Sequence, residues 1–394
     1  MADVQPIATS VAASPNALAA RTYYLPQLDI LRFFAFFAVF IGDSFPASSS
    51  FYERFGVPHA LSTSLAAACA AGPFGVDLFF VLSAYLITTL LLRERQLLGR
   101  VNTGAFYLRR ALRIWPLYFV FLLGYFFLQR FIPHEAYNQP LARGALVPFV
   151  FFVGNIEIMR HPMLQVVHLW SISVEEQFYL CWGAILKFAG AHKLPWFAGT
   201  AILVALVTRV YLQHVQLGPA PGMAFVSVLC NTLARLDTLA MGVLVATGTI
   251  FAAKLRWPRL AITAALIAAI VAENFLPRSK PALPNVLLNY LIVAIACSLI
   301  VRACLDLHPG TGPLARALAY LGKISFGMYV YSPIAQAFAY RWAPGQKEHF
   351  ISYVIPAAIS LALTVAAAFL SFELLERPFL KLKTRFTYVP SRPA

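Results

Sequence analysis

Several ionisable side chains lie inside long apolar stretches of this sequence, among them Arg32, Asp43, Asp77, Glu175, Glu176, Arg235 and Asp237. A charge is expensive in such a setting, which makes each of them a functional candidate. Arg32 and Asp43 are separated by 11 residues. On a helix, that spacing returns to the same face within about 20° and covers about 16 Å along the axis. A cation near one end and a carboxylate deeper along the same face suit a tunnel that admits an anionic ligand. The same spacing equally suits two charges that are each neutralised by a neighbouring helix. Glu175 and Glu176 point about 100° apart, so at most one faces a given site. Arg235 and Asp237 also diverge, and each is expected to pair with another helix. Glu373 and Glu376 close the last apolar stretch. Asn155, His168, Trp170, Ser171 and Ser173 put further polar atoms near the ends of apolar segments, where Trp170 also fits an interfacial anchor.

The elements that must position these groups are membrane helices. Of the 394 residues, 60% are apolar and 12% charged, about half the charge of an ordinary soluble domain. The apolar residues fall in blocks near the 20 residues that cross a bilayer. The candidate spans are 28–47, 70–92, 114–132, 169–187, 195–213, 224–251, 259–276, 284–304, 317–340 and 351–374. The expected fold is therefore all-α, a polytopic integral membrane bundle of about ten transmembrane helices. The stretch 145–158 is short and ends in Gly154, Asn155 and Glu157. If it does not cross, 21 of the 31 Lys and Arg fall on one side and 8 on the other. The positive-inside rule then makes the richer side cytoplasmic, with both termini there and 145–158 re-entrant or lying at the outer surface. Residues 1–24 read as a mobile cytoplasmic tail, 25–385 as one transmembrane domain and 386–394 as a short C-terminal tail.

The net charge of +15 sits between apolar blocks, as loop charges that set topology do, so no nucleic-acid partner is expected. The five cysteines have no metal-ligand spacing and read as small apolar residues. No histidine pair has such spacing either, so no metal site is expected. Gly42-Asp43-Ser44 imitates the start of an esterase signature, but lies on a helix rather than a strand-to-helix turn.

Several motifs occur in order along the chain. Leu28-Asp29-Ile30-Leu31-Arg32 opens the first span, and Phe74-Gly75-Val76-Asp77 through Ser83 opens the second. Phe106-Tyr107-Leu108-Arg109-Arg110-Ala111-Leu112-Arg113 runs into Ile114-Trp115-Pro116-Leu117-Tyr118. His168-Leu169-Trp170-Ser171 continues through Glu175-Glu176-Gln177-Phe178-Tyr179. Arg235-Leu236-Asp237 with Gly242, Gly322-Lys323-Ile324-Ser325-Phe326 and Glu376-Arg377-Pro378-Phe379 complete the set. Together they resemble the acyltransferase-3 family of membrane O-acyltransferases over residues 25 to 385.

The resemblance implies ten helices and transfer of an acyl group, acetyl above all, from cytoplasmic acyl-CoA. The acceptor it implies is a sugar hydroxyl on a glycan, glycolipid or related molecule accessible from the membrane. Acyl-CoA would be a substrate, with no permanently bound cofactor. By this resemblance Arg32 would hold the phosphates of the donor. Asp43 would stand where the family carries a histidine base. Asp77, Glu175 and Glu176 would orient the site or balance its charge, and Tyr118 and Trp170 would line the cavity. Ser83, Asn155, His168, Arg235 and Asp237 complete the candidate substrate-binding set.

The sequence departs from the family pattern at three points. Asp43 replaces the first-span histidine, Ala84 replaces the glycine after Ser83, and Ser332 replaces a later histidine. Imidazole suits general-base work near neutral pH better than a carboxylate does. Two readings follow. In one, Asp43 is a working base. In the other, the chain is a non-catalytic relative that binds or carries a glycan or lipid. An unrelated transporter is a third reading, but it would need a midplane site at broken helices. No soluble domain is apparent in the sequence, so direct transfer to the acceptor is the simpler expectation.

Overall fold

The computed structural model describes residues 23–131, 141, 143–162, 166–215, 221–277, 282–342 and 349–389. The expected tail 1–24 and the last residues of 386–394 lie almost wholly outside them. The described residues are helical, with no strand among them. Helices α1 (Pro26–Ser44), α2 (Phe74–Leu98) and α3 (Thr103–Leu128) come first. Then come α4 (Trp170–Phe188), α5 (Leu194–Val215), α6 (Pro221–Cys230) and α7 (Leu236–Ala246). The rest are α8 (Pro258–Phe275), α9 (Tyr290–Leu305), α10 (Pro313–Lys323), α11 (Ser325–Trp342), α12 (Ile351–Ser371) and α13 (Arg377–Thr384).

Among the described residues, six helical segments are long and apolar enough to cross a membrane by length and composition: Phe74–Leu98, Thr103–Leu128, Ala191–Val215, Pro258–Phe275, Asn285–Leu305 and Ile351–Thr384. Of the expected spans outside this set, 224–251 is broken into two short helices and the other three are polar. α1 carries Asp29, Arg32 and Asp43. α4 carries Glu175, Glu176 and Lys187. α11 holds serine, glutamine, arginine and an internal proline. The residues that make these helices chemically interesting are the ones that lower their apolarity.

Several boundaries differ from the sequence expectation, each for a local reason. The stretch 224–251 is not one helix. Asn231 accepts hydrogen bonds from the backbone N–H groups of Leu233 (2.9 Å) and Ala234 (3.2 Å), which competes with the helical ladder. A tight turn at Leu233–Arg235 then separates α6 from α7. The stretch 317–340 divides at Ile324 into α10 and α11. The second span begins at Phe74 rather than 70 and ends at Gly99, whose φ of 69° favours glycine. The third begins well before 114, at Thr103, where the Asn102 side chain caps the helix by accepting from the Ala105 N–H at 3.0 Å. The stretch 145–158 forms two short helices, Arg143–Val150 and Gly154–Arg160, broken at Phe152 with φ 55°.

Close backbone contact assembles the bundle. α1 packs on α2 and α10, α2 on α7 and α9, α5 on α7, and α11 on α12. Gly75, Gly242 and Gly322 sit where a side chain would strike a neighbouring backbone, the last against the Asp29 carbonyl. Arg95 donates to the Ala189 carbonyl, Arg109 to the Phe386 carbonyl (2.8 Å), and Asn102 to the Tyr388 hydroxyl. These bonds gather several basic segments at one end of the bundle, the basic end. At the opposite end, Tyr340 and Gln336 of α11 hold Ser44 of α1.

Candidate active site

Among the cavities formed by the described residues, two adjoin within the bundle. The deeper, of about 90 Å³, is lined by polar groups from five helices, among them Arg32, Ser83, Arg110, Arg113, Ser171, Glu175, Tyr179 and Tyr329. The second, of about 70 Å³, lies toward the basic end and is lined by Glu94, Arg109, Lys383 and Thr387. Arg110 and Arg113 line both. Their spacing of three residues puts them on one face of α3, while Arg109 turns aside to pair with Glu94 at 2.6 Å.

Electrostatically the deep chamber is cationic at one end and carboxylate-bearing within. Arg32 bonds Asp29 at 2.9 Å on its own helix and still lines the chamber. Glu175 accepts from the Tyr179 hydroxyl at 2.7 Å. The Arg110 guanidinium lies 5.1 Å from the centre of the Tyr179 ring, in cation–π range. Ser171 and Tyr329 share a hydrogen bond of 2.8 Å, and the Tyr329 hydroxyl also donates to the His168 carbonyl at 2.8 Å. Such a chamber can hold an anionic ligand by charge and direct its reactive end toward hydroxyl and carboxylate groups.

The adjacent glutamates separate as helix geometry requires. Glu175 faces the chamber, whereas Glu176 accepts from Trp115 Nε1 at 3.2 Å. Of the remaining candidates, Arg32 and Ser83 line the chamber. Asp43 is exposed near the end of α1 and belongs to neither chamber. Asp77, Arg235 and Asp237 are fully buried with Arg209. Arg235 pairs with Asp77 of α2, and Arg209 of α5 pairs with Asp237 at 2.5 Å. The Tyr290 ring lies between the two guanidinium groups, 4.6 Å from Arg209 and 4.8 Å from Arg235. This lattice ties α2, α5, α7 and α9 together.

Asn155 is also outside the chambers. It donates to the Cys230 carbonyl (3.0 Å) and to Thr232 (3.1 Å), and accepts from Gln177 (3.0 Å). It thereby pins the Gly154–Arg160 helix to α4 and to the break after α6. Tyr118 is fully buried and donates to the Phe149 carbonyl at 2.7 Å. Trp170 is buried edge-on against Phe80, 5.8 Å between centroids. Neither lines a chamber. The residues that sequence reasoning did not select are Arg110, Arg113, Tyr179, Tyr329 and Lys383. The arginine spacing was readable, but it looked like ordinary loop charge.

Residues 25–373 match the model of a family described as an acyltransferase domain. Among curated relatives, a provisionally named O-acetyltransferase of Staphylococcus aureus (strain MRSA252) is 24% identical over 359 residues, 81% of this chain and 55% of the relative. The peptidoglycan O-acetyltransferase OatA of Listeria monocytogenes is 29% identical over 193 residues, 47% of this chain and 27% of that protein. The O-acetyltransferase OatA of Staphylococcus aureus (strain NCTC 8325 / PS 47) is 25% identical over 399 residues, covering 94% of this chain and 59% of that protein. The chain thus spans little more than half the length of the Staphylococcus relatives. No solved structure gives a significant match. With the family model covering nearly the whole helical bundle, the chain belongs to the acyltransferase-3 family.

Proposed function

We propose that this protein is a membrane O-acetyltransferase that takes its acyl group from acyl-CoA and passes it to a sugar hydroxyl. The observation that carries this reading is the pair of chambers sharing Arg110 and Arg113. The nucleotide and pyrophosphate of the donor would sit at the basic end, among Arg113 and Lys383, where charge-assisted hydrogen bonds are strong. The narrow pantetheine arm would run past Arg110 and Arg32 and bring the thioester toward Ser171, Glu175 and Tyr329. The O-acetyltransferase names of the relatives, one of them a peptidoglycan enzyme, support a carbohydrate acceptor.

In this reading Arg32, Arg110 and Arg113 bind the donor, and Glu175 with Tyr179 orients the reacting end. Asp43, at the other end of α1, is a carboxylate on the side from which an acceptor arrives. Ten spans, with both termini on the cytoplasmic side of the cytoplasmic membrane, agree with 21 Lys and Arg on one side against 8 on the other. The amphipathic α10 and the basic α13 would then rest on the anionic cytoplasmic leaflet.

The test is acceptor-dependent release of the coenzyme A thiol by the purified protein in nanodiscs, with acetyl-CoA as donor and chitooligosaccharides and muropeptides as acceptors. The reading predicts thiol release and an acetyl ester on the acceptor. Acetyl-CoA binding without transfer to any acceptor would favour a non-catalytic relative, and absence of binding would remove the reading.

A further inference from the structure

We infer that His168 is the base that takes the proton from the acceptor hydroxyl, with Nδ1 as the accepting atom. The inference rests on the acyl-transfer reading above. His168 Nε2 lies 3.1 Å from the Val330 carbonyl oxygen. A carbonyl only accepts, so Nε2 carries the hydrogen and Nδ1 carries the lone pair. Nδ1 is buried and has no hydrogen-bond partner among the described residues. An acceptor left unmatched in that way costs about 1–3 kcal/mol. An incoming hydroxyl donor would recover that cost on binding.

The imidazole is held in place rather than left to rotate. Phe121 and Tyr329 meet it edge-on, with centroids at 5.6 and 5.8 Å. His168 lies in the tight turn that leads into α4, whose Ser171 and Glu175 share a helix face. Ser171 and Tyr329 both line the deep chamber, and both hydroxyls bond the His168 backbone carbonyl. The ring is not itself a lining residue; it packs on Tyr329, which is, so the acceptor hydroxyl would reach it past that side chain. The position expected for a base, Asp43, carries no imidazole and lies outside both chambers. The carbonyl at Nε2 would also stabilise the imidazolium that forms.

In the step itself, the acceptor oxygen attacks the thioester carbonyl carbon. A C–O bond forms, the C–S bond breaks, and the hydroxyl proton passes to Nδ1. The imidazolium then returns that proton to the departing thiolate. An alcohol and an acyl thioester become an ester and a free thiol, with no other reactant.

The test compares wild type with His168→Gln and His168→Ala in nanodiscs, measuring acetyl-CoA affinity, kcat and KM. Glutamine can keep a donor to Val330 but has no basic nitrogen. The inference predicts a kcat loss of roughly 100-fold or more for His168→Gln, with acetyl-CoA affinity unchanged. It also predicts partial rescue of His168→Ala by added imidazole. A kcat within about threefold of wild type in His168→Gln would overturn it and leave the acyltransferase reading standing. Loss of donor binding in both variants, with no imidazole rescue, would assign His168 a purely structural role. If wild type itself neither binds acetyl-CoA nor transfers acetyl, the acyl-transfer reading falls first and this inference with it.

Discussion

Replacing Asp77 with leucine would leave Arg235 charged inside the bundle. Arg209, Arg235, Asp77 and Asp237 are all at 0% exposure, so water cannot take over the role of the missing carboxylate. Breaking a buried pair from one side costs about 3–5 kcal/mol, because it strands the other charge. Removing both partners and filling the space with apolar atoms is often close to neutral. The Tyr290 ring, 4.8 Å from the Arg235 guanidinium, offsets part of the cost through a cation–π contact of about 2 kcal/mol when desolvated. The net loss for Asp77→Leu is then about 1–3 kcal/mol. With an unfolding entropy near 2.1 cal/mol/K per residue, this corresponds to a Tm drop of about 1–4 °C for a chain of this size. Thermal unfolding in nanodiscs, followed by tryptophan fluorescence, measures it for Asp77→Leu, Arg235→Met and the double variant. The double variant should be more stable than the less stable single variant. Wild-type stability in Asp77→Leu, or strictly additive losses in the double variant, would refute the reasoning.

The remaining predictions concern packing and the donor path. Gly322→Ala should lower Tm and yield of folded protein, because its Cβ would collide with the Asp29 carbonyl; an unchanged melting curve would contradict the packing of α10 on α1. Asn155→Ala removes two donated bonds and one accepted bond, a loss of about 1.5–4.5 kcal/mol at 0.5–1.5 kcal/mol each. Chemical denaturation checks it. Arg113→Ala should weaken acetyl-CoA binding by roughly 10- to 150-fold, the equivalent of one charged hydrogen bond of 1.5–3 kcal/mol. Calorimetry against desulfo- or dethia-acetyl-CoA reads this directly. Glu175→Gln should leave donor affinity within about threefold but reduce kcat, since it removes the chamber's carboxylate while keeping a polar partner for Tyr179.

The sequence exposed the parts of this molecule that depend on local composition. Blocks of apolar residues located the helices, because a bilayer-length run has few alternatives. The 100° step between neighbouring residues separated Glu175 from Glu176, and the divergence of Arg235 and Asp237 correctly called for separate partners. What stayed hidden depends on other segments. Asn231 breaks its helix by turning its side chain onto the backbone, a choice that tertiary contacts decide. Asp77 and Arg209 became partners of Arg235 and Asp237 only when α2, α5 and α7 came together. Arg110 and Arg113 read as loop charge because nothing local says that their face closes a chamber. Asp43 drew attention through its type and spacing from Arg32, yet the wall of the deep chamber is made by Ser171, Glu175 and Tyr329. His168 became informative only when Val330, 162 residues away, fixed its hydrogen on Nε2.

The most direct measurement is made in proteoliposomes, with labelled acetyl-CoA supplied to one membrane face and an oligosaccharide acceptor to the other. Orientation is established by labelling a cysteine placed after α13. The account predicts acetyl ester on the acceptor only when acetyl-CoA is on the face bearing α13, with transfer lost in Arg110→Ala/Arg113→Ala. Transfer that proceeds equally from either face, or that survives loss of both arginines, would contradict it.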